Sequence, residues 1–442
     1  MAAQLRADAD NACIWAAETI HEADVLLLCT GAGFSSDSGL PTYAEIGNVE
    51  AYSRQGLEYQ DFCNPKMLRE DPELFWGFWG SCVNKYRRTT PHEGYNIIDG
   101  WAETHFRHSK VAEAIREEMA FLQPSGYDWE QSEFEPYHVS DTPGAFFAIT
   151  SNVDAHHYDW FHASEIRECH GNIELYQCAK AKSRACPGVW RMPASDVAFN
   201  VDPVTMRVPL IPAVPSCGTR DKEVKDGSSA EEETQASACA HGSERPMRLR
   251  YMPEARSGPM MSTGFQSNHP VCPFCKGPAR PAVMMFEDED WQDVVPQLQR
   301  KQRWLHAVLN LIGLHGGGLK VAILEIGAGG NVTTVRNSGE QILHGCISSG
   351  AQARLIRINP ELPLGDEDDF APGGKFEGHV VSIMAGGLDS LRKIDGALTV
   401  LSAGTADGSS AASRAPCGGS SCMAHERTAQ GSWERAAAVG VA

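Results

Sequence analysis

Basic residues are scarce in this chain of 442 residues: 38 Lys and Arg stand against 57 Asp and Glu, for a formal net charge of −19. A nucleic-acid-binding surface needs clustered cations to meet phosphates, so direct nucleic-acid binding is not expected and a basic peptide is the better partner. Long apolar runs are missing too. No stretch of about eighteen apolar residues occurs, so no membrane span is expected. The opening "MAAQLRADADNACIW" carries acidic residues and lacks both the apolar core of a secretory signal and the arginines of a transit peptide, which points to the cytosol or nucleus. In such a compartment the 14 cysteines are thiols or metal ligands rather than a disulfide framework. There is no internal repeat, and no G-x-G-x-x-G, which sets aside the ordinary dehydrogenase fingerprint.

What the chain does have is a set of apolar runs with small or polar ends. "DVLLLC" from Asp24, "AFFAIT" from Ala145, "KVAILEIG" from Lys320 and "ARLIRIN" from Ala353 read as strands of one open α/β sheet, which presents ligand sites where its strands end. Residues 1–20 read as an N-terminal extension. The sheet domain takes 21–175, with a helical insertion at 45–140, and resumes at 291–398. The aromatic face of "DPELFWGFWGSCVNKYRR", from Asp71, reads as core. Between the halves lies a cysteine-bearing module, 176–290, whose polar stretch 217–265 cannot bury enough apolar surface to offset chain entropy and is expected to be disordered. The low-complexity tail 399–442 is expected to behave likewise. Two acidic runs, "FEDEDWQD" from Phe286 and "GDEDD" from Gly365, read as solvated faces.

Four short stretches carry chemistry. In "VLLLCTGAGFSSDSGLPTY", Val25 to Tyr43, the residues Gly31, Ala32 and Gly33 are expected to leave main-chain N–H groups bare where a helix starts, near Ser35 or Ser36. Such a turn cradles phosphate, and the same residues also suit a tight turn with no ligand. "TSNVDAHH" from Thr150 closes the second strand with Asn152 and Asp154, an amide and a carboxylate suited to ribose hydroxyls and an amide leaving group. "ECHGN", Glu168 to Asn172, sets His170 in a loop, where a neutral imidazole can take a proton. The fourth is a cysteine set. Cys272 and Cys275 have the spacing of a zinc knuckle, and Cys178 and Cys186 complete a four-thiolate site if the wide gap between them loops out. Cys217 and Cys239 are alternates for one ligand.

In this order the stretches resemble the sirtuins, the NAD-dependent protein deacylases. "TGAGFSSDSGLPTY" is similar to that family's glycine element, "TSNVD" to its TQNID, His170-Gly171 to its catalytic His-Gly, "RPAVMMFED" from Arg280 to the segment after its zinc site, and "RIN" ending at Asn359 to its late strand end. The resemblance, over about residues 20 to 395, implies a Rossmann-like parallel sheet with a small zinc-binding module and a mobile cofactor-binding loop. It implies that NAD is held by Gly31, Ala32, Gly33, Ser35, Ser38, Pro41, Tyr43, Ser151, Asn152, Asp154, Gly327, Ala328, Gly329 and Asn359. It also implies that zinc is held by Cys178, Cys186, Cys272 and Cys275. His170 would act as general base, Asn152 would position ribose and water, and Asp154 would hold the nicotinamide amide. An acyl-lysine peptide would add as a strand near Val283–Phe286.

The departures are specific. The family's Phe-Arg pair is Tyr43-Ala44 here, the Gln of TQN is Ser151, the GTS of the third strand end is Gly327-Ala328-Gly329, "GAGGNVTTVRN" lacks the usual proline pattern, and FGE reads Phe286-Glu287. Some of these changes resemble the macrodomain-linked branch of ADP-ribosyltransferases, in which the catalytic His is typically absent, whereas His170 is present here. The leading expectation is therefore an NAD-dependent protein-lysine deacylase, a transferase that moves the acyl group to ADP-ribose and releases nicotinamide. Its alternatives are a protein ADP-ribosyltransferase or NAD glycohydrolase, and a non-catalytic NAD or ADP-ribose sensor. Tyr52 and Arg54 are a candidate pair for an acidic acyl group, with an ordinary solvated loop as the simpler reading.

Overall fold

The computed structural model describes residues 1–42, 45, 49–122, 136–137, 139, 141–182, 184–186, 188–192, 198–211, 268–315 and 318–408. The strands are β1 (Val25–Thr30), β2 (Phe146–Thr150), β3 (Ile166–Glu168), β4 (Gly171–Cys178), β5 (Trp190–Arg191), β6 (Ala279–Val283), β7 (Lys320–Ile326), β8 (Gln352–Ile358) and β9 (Val380–Ile383). All four apolar runs form strands and lie adjacent at the centre of a six-stranded parallel sheet ordered β3-β2-β1-β7-β8-β9. Continuous apolar runs suit strands covered on both faces, and β1 and β2 are buried at every residue. The edge strands β3 and β9, of 3 and 4 residues, are too short to show as runs in the sequence. Strand order reverses between β1 and β7, and a parallel sheet opens a crevice at the carboxyl ends of such a pair.

The N-terminal segment is part of the core and not a mere extension. Helix α1 (Ala2–Ala7) leads into α2 (Ala9–Glu22), which buries Ala12, Cys13, Ala16, Ala17 and Ile20 in the cluster that includes the sheet. Further helices are α3 (Ala32–Ser36), α4 (Pro72–Arg88), α5 (Glu93–Trp101), α6 (Lys110–Phe121), α7 (Val295–Leu314), α8 (Thr334–Ser348) and α9 (Gly387–Gly408), with short helical turns at Tyr59–Phe62 and Pro65–Glu70. Helix α9 runs past residue 399, where the low-complexity tail was expected to begin. The chain forms one compact unit over Met1–Leu401, and of the second, Ser402–Ala442, only the end of α9 is described. The expected disordered insertion 217–265 lies outside the described residues. Among the described residues no helix is long and apolar enough to cross a membrane.

A second core joins the helical insertion to the cysteine module. The aromatic face of α4 is core as expected: Leu74, Phe75, Trp76, Phe78 and Trp79 are buried with Tyr176 and Cys178 of β4. Trp76 stacks on Phe199 with ring centroids 5.3 Å apart. Gly77 admits the passing chain, because a Cβ there would stand 1.9 Å from the Met206 carbonyl oxygen. The module itself is a three-stranded antiparallel sheet, β5-β4-β6.

The acidic runs are built into the fold rather than simply solvated. Asp288 pairs with Arg280 at 2.7 Å, Asp293 with Arg167 at 2.6 Å, and Asp290 accepts the Lys182 amide at 2.7 Å. In the other run, Asp366 pairs with Arg336 and joins a buried network. Arg357 on β8 meets its register partner Glu325 on β7 at 2.7 Å and Glu340 on α8 at 2.8 Å. Glu340 in turn accepts the Asp366 and Glu367 amides, both at 2.8 Å, so that the charges tie the loop after β8 to the sheet. Arg357 is fully buried, and taking away one member of a buried ion network strands the others. Arg357→Met is therefore expected to lower unfolding free energy by roughly 3–5 kcal/mol, read from urea denaturation.

Candidate active site

Glycine spacing at the sheet's switch point reflects how closely two turns approach. A Cβ on Gly33 would stand 2.8 Å from the Gly327 Cα, and one on Gly31 would stand 2.6 Å from the Ala328 Cα. Gly327 also needs its positive φ of 65°. The Gly31 amide donates to the Ile326 carbonyl at 3.0 Å and the Gly33 amide to the Gly327 carbonyl at 2.9 Å. These two N–H groups are therefore not bare, as expected from the sequence, but spent on joining the two strand ends. The helix also begins earlier than expected, at Ala32.

Above these turns lies a cavity of about 790 Å³. Of the expected site residues, Gly31, Ala32, Gly33, Ser35, Pro41, Ser151, Asn152, Asp154, His170, Gly327, Gly329 and Asn359 line it. Two do not. Ser38 accepts the His92 amide at 2.9 Å, and Ala328 is buried with its carbonyl accepting from Asn359. Tyr43, with neighbouring Ala44, lies outside the described residues. Tyr52 is buried and Arg54 exposed, and neither lines the cavity, so the structure does not join them in an acyl-binding pair. Spacing could not foretell the rest of the wall: Asp37, Tyr59, Cys63, Tyr86, Thr334 and Glu361 also line it.

The polar groups of the floor form one network. Ser35 Oγ donates to Asp154 Oδ2 at 2.6 Å and accepts from Asn152 Nδ2 at 3.0 Å, which binds the glycine turn to the end of β2. Burial works against the Asp154 charge, yet His156, the Ser35 hydroxyl and the His156 amide together hold its carboxyl below the usual carboxylate range. Behind it His157 is wholly buried, with Nε2 2.9 Å from Thr30 Oγ1, and burial brings its pKa down to about 4. Asn359 is committed internally: Nδ2 donates to the Ala328 carbonyl at 2.8 Å, while Oδ1 accepts the Glu361 and Leu362 amides at 2.9 Å each.

His170 projects from the turn between β3 and β4. Gly171, at φ 68°, must lack a Cβ, which would stand 1.9 Å from the Ala282 carbonyl oxygen. Across the turn Asn172 Nδ2 donates to Glu168 Oε2 at 2.7 Å, and burial pushes the Glu168 carboxyl up to about 8. Burial first, and the Arg167 charge second, hold the His170 imidazole below its ordinary pKa, so the ring is neutral at pH 7 and able to accept a proton. Its main-chain carbonyl accepts the Met284 amide at 2.9 Å, and the Phe286 amide donates to Cys63 at 2.7 Å.

The four expected cysteines do converge. Their sulfurs lie within 4.8 Å of one another, and Cys178 and Cys275 stand 3.8 Å apart. Four sulfurs about 2.3 Å from a central zinc stand about 3.8 Å from each other, so the set fits that ion. Within the wide gap between Cys178 and Cys186, the Lys182 amide donates to Asp290 at 2.7 Å and pins the chain there. Around Cys275, burial opposes ionisation but the Gly277 amide and Lys180 outweigh it, drawing the thiol down to about 6.

Two outcomes are expected. His157 titrates at about 6.5 when unfolded and about 4 when folded, so the unfolded state binds the extra proton between those values and stability falls by about 3 kcal/mol as pH drops through them. Urea midpoints for His157→Gln should show a smaller loss across that interval than the parent chain. Elemental analysis should find about one zinc per chain, and Cys272→Ser should lose it together with the fold of the module.

No family model matches the chain. It is 32% identical over 83 residues to NAD-dependent protein deacylase 2 of Pseudomonas aeruginosa, covering 19% of this chain and 32% of that protein. With NAD-dependent protein deacylase 2 of Pseudomonas syringae pv. tomato it shares 42% identity over 64 residues, 14% of this chain and 26% of the relative. With the NAD-dependent protein deacylase of Daphnia pulex it shares 26% over 164 residues, 37% and 45%. The aligned stretches thus span between 26% and 45% of the length of these curated relatives. Among solved structures, a Sir2 homolog–NAD complex is similar at 15% identity and a TM-score of 0.42, covering 87% of this chain and 93% of that one. A Sir2 protein bound to a propionylated peptide is similar at 14% and 0.39, covering 88% and 96%. Over these stretches the chain is similar to NAD-dependent protein deacylases of two bacteria and an animal.

Proposed function

We propose that the chain is an NAD-dependent protein-lysine deacylase. The observation that carries this reading is the convergence of Ser35, Asn152, Asp154 and His170 on one cavity at the sheet's switch point. NAD would lie against the glycine turn and the β7 and β8 ends, supplying the ribose that accepts the acyl group and the nicotinamide that leaves. Asp154 and Asn152, held by Ser35, present a carboxylate and an amide to the nicotinamide end. His170, neutral at pH 7, takes the proton from a ribose hydroxyl at its Nε2.

An acyl-lysine peptide fits the side of the cavity where Val283, Met284, Met285 and Phe286 form the wall. The Met284 and Phe286 amides face inward to His170 and Cys63, so an added strand would pair on the opposite edge. There, among the described residues, the Val283 carbonyl and the Met285 amide are engaged only by contacts of 3.4 Å. Tyr59, Cys63, Tyr86 and Val153 line the same cavity and would receive the acyl chain. The ten cysteines among the described residues are unpaired thiols, which suits a reducing cytosol or nucleus.

Expulsion of nicotinamide by the acyl oxygen needs no base, whereas the later attack by the ribose hydroxyl does. His170→Ala should retain nicotinamide exchange while deacylation of an acyl-lysine peptide at saturating NAD falls by about 10²–10⁴. Equal deacylation rates for the two proteins would remove His170 from the chemistry.

A further inference from the structure

Thr334 opens helix α8 on the cavity wall, and its Oγ1 lies 3.1 Å from Nε2 of His170. In the neutral tautomer that carries its single N–H on Nδ1, the His170 nitrogen facing Thr334 presents a lone pair. In that tautomer the Thr334 hydroxyl is the donor in the contact. Among the described residues no other hydrogen bond to this hydroxyl is found, so it does not act as a cap for its own helix. A hydroxyl on an imidazole base is the arrangement of an activated nucleophile. The deacylation chemistry above makes no use of this hydroxyl.

We propose that Thr334 is itself an acceptor of ADP-ribose, so that the chain modifies its own cavity wall when no acyl-lysine is present. The step rests on the NAD reading and balances without an oxidant or reductant. A bond forms between Thr334 Oγ1 and the ribose carbon that carries nicotinamide. The bond from that carbon to the ring nitrogen breaks, its electron pair leaves with neutral nicotinamide, and the threonine proton passes to Nε2 of His170. The product is an O-linked ADP-ribosyl threonine that stays in the cavity and closes it to further substrate.

The test incubates the full chain with NAD and no peptide, and reads free nicotinamide and the mass of the proteolytic fragment that carries Thr334. One ADP-ribose on Thr334 is expected. It should persist in Thr334→Ser, vanish in Thr334→Val, and form about 10²–10⁴ times more slowly in His170→Gln. A readout without NAD accompanies it: the His170 ring-nitrogen resonances should shift in Thr334→Val, which loses the hydroxyl but keeps the side-chain shape. Nicotinamide release with no label on Thr334 overturns this inference and leaves the NAD reading standing. Absence of both NAD binding and nicotinamide release overturns the two together, and unshifted His170 resonances in Thr334→Val show that the dyad does not exist.

Discussion

The approach of the β1 turn to the β7 turn, main chain on main chain, is the constraint on which the rest of the site depends. With Gly31, Gly33 and Gly327 lacking Cβ atoms, the Gly31 and Gly33 amides reach the carbonyls of Ile326 and Gly327. That contact locks the two central strands of the sheet at their carboxyl ends. It also presents Ser35 to Asn152 and Asp154, because α3 begins at Ala32 directly after the joined turns. A bulkier residue at any of these glycines would separate the strand ends and pull Ser35 from the carboxylate it holds.

A cavity framed this way has an uneven charge. Its described lining carries Asp37, Asp154 and Glu361 but no Lys or Arg. The Arg336 and Arg357 guanidiniums are inside the fold, bound to Glu325, Glu340 and Asp366. A phosphate-bearing ligand would therefore rely on main-chain and side-chain dipoles for its pyrophosphate. This agrees with the absence of an Arg at Tyr43-Ala44, where the resembled family has one, and it gives hydrogen-bonding groups such as the hydroxyls around His170 more weight in the chemistry.

Much of the fold was legible because its signals are local. Continuous apolar runs marked the four central strands, and the aromatic face of α4 read as core. The four converging cysteines were recognisable by residue type, and the Lys182 amide on Asp290 pins the chain within the wider gap between two of them. Signals that depend on distant partners were read less well. The acidic runs looked solvated because Arg280, Arg167 and Arg336, which neutralise them, come from other elements. The alanine face of α2 carries little hydrophobic signal of its own, and becomes core only where the sheet offers a surface that small side chains can approach.

By itself the sequence determined which residues are able to do chemistry and in what order they occur along the chain: an amide and a carboxylate after a strand, a histidine before a glycine, four thiols around a polar insertion. Residue type and short-range spacing suffice for that, since strand formation and ligand identity are local properties. Only the tertiary structure decided which glycine amides are spent within the fold, that Ser38 and Ala328 turn away from the cavity, and that Thr334 stands against His170. The last two residues are 164 positions apart, and their contact depends on how the end of β3 and the start of α8 meet above the sheet. Such a meeting is a consequence of packing two elements at a strand-order reversal, and no pattern within either stretch contains it.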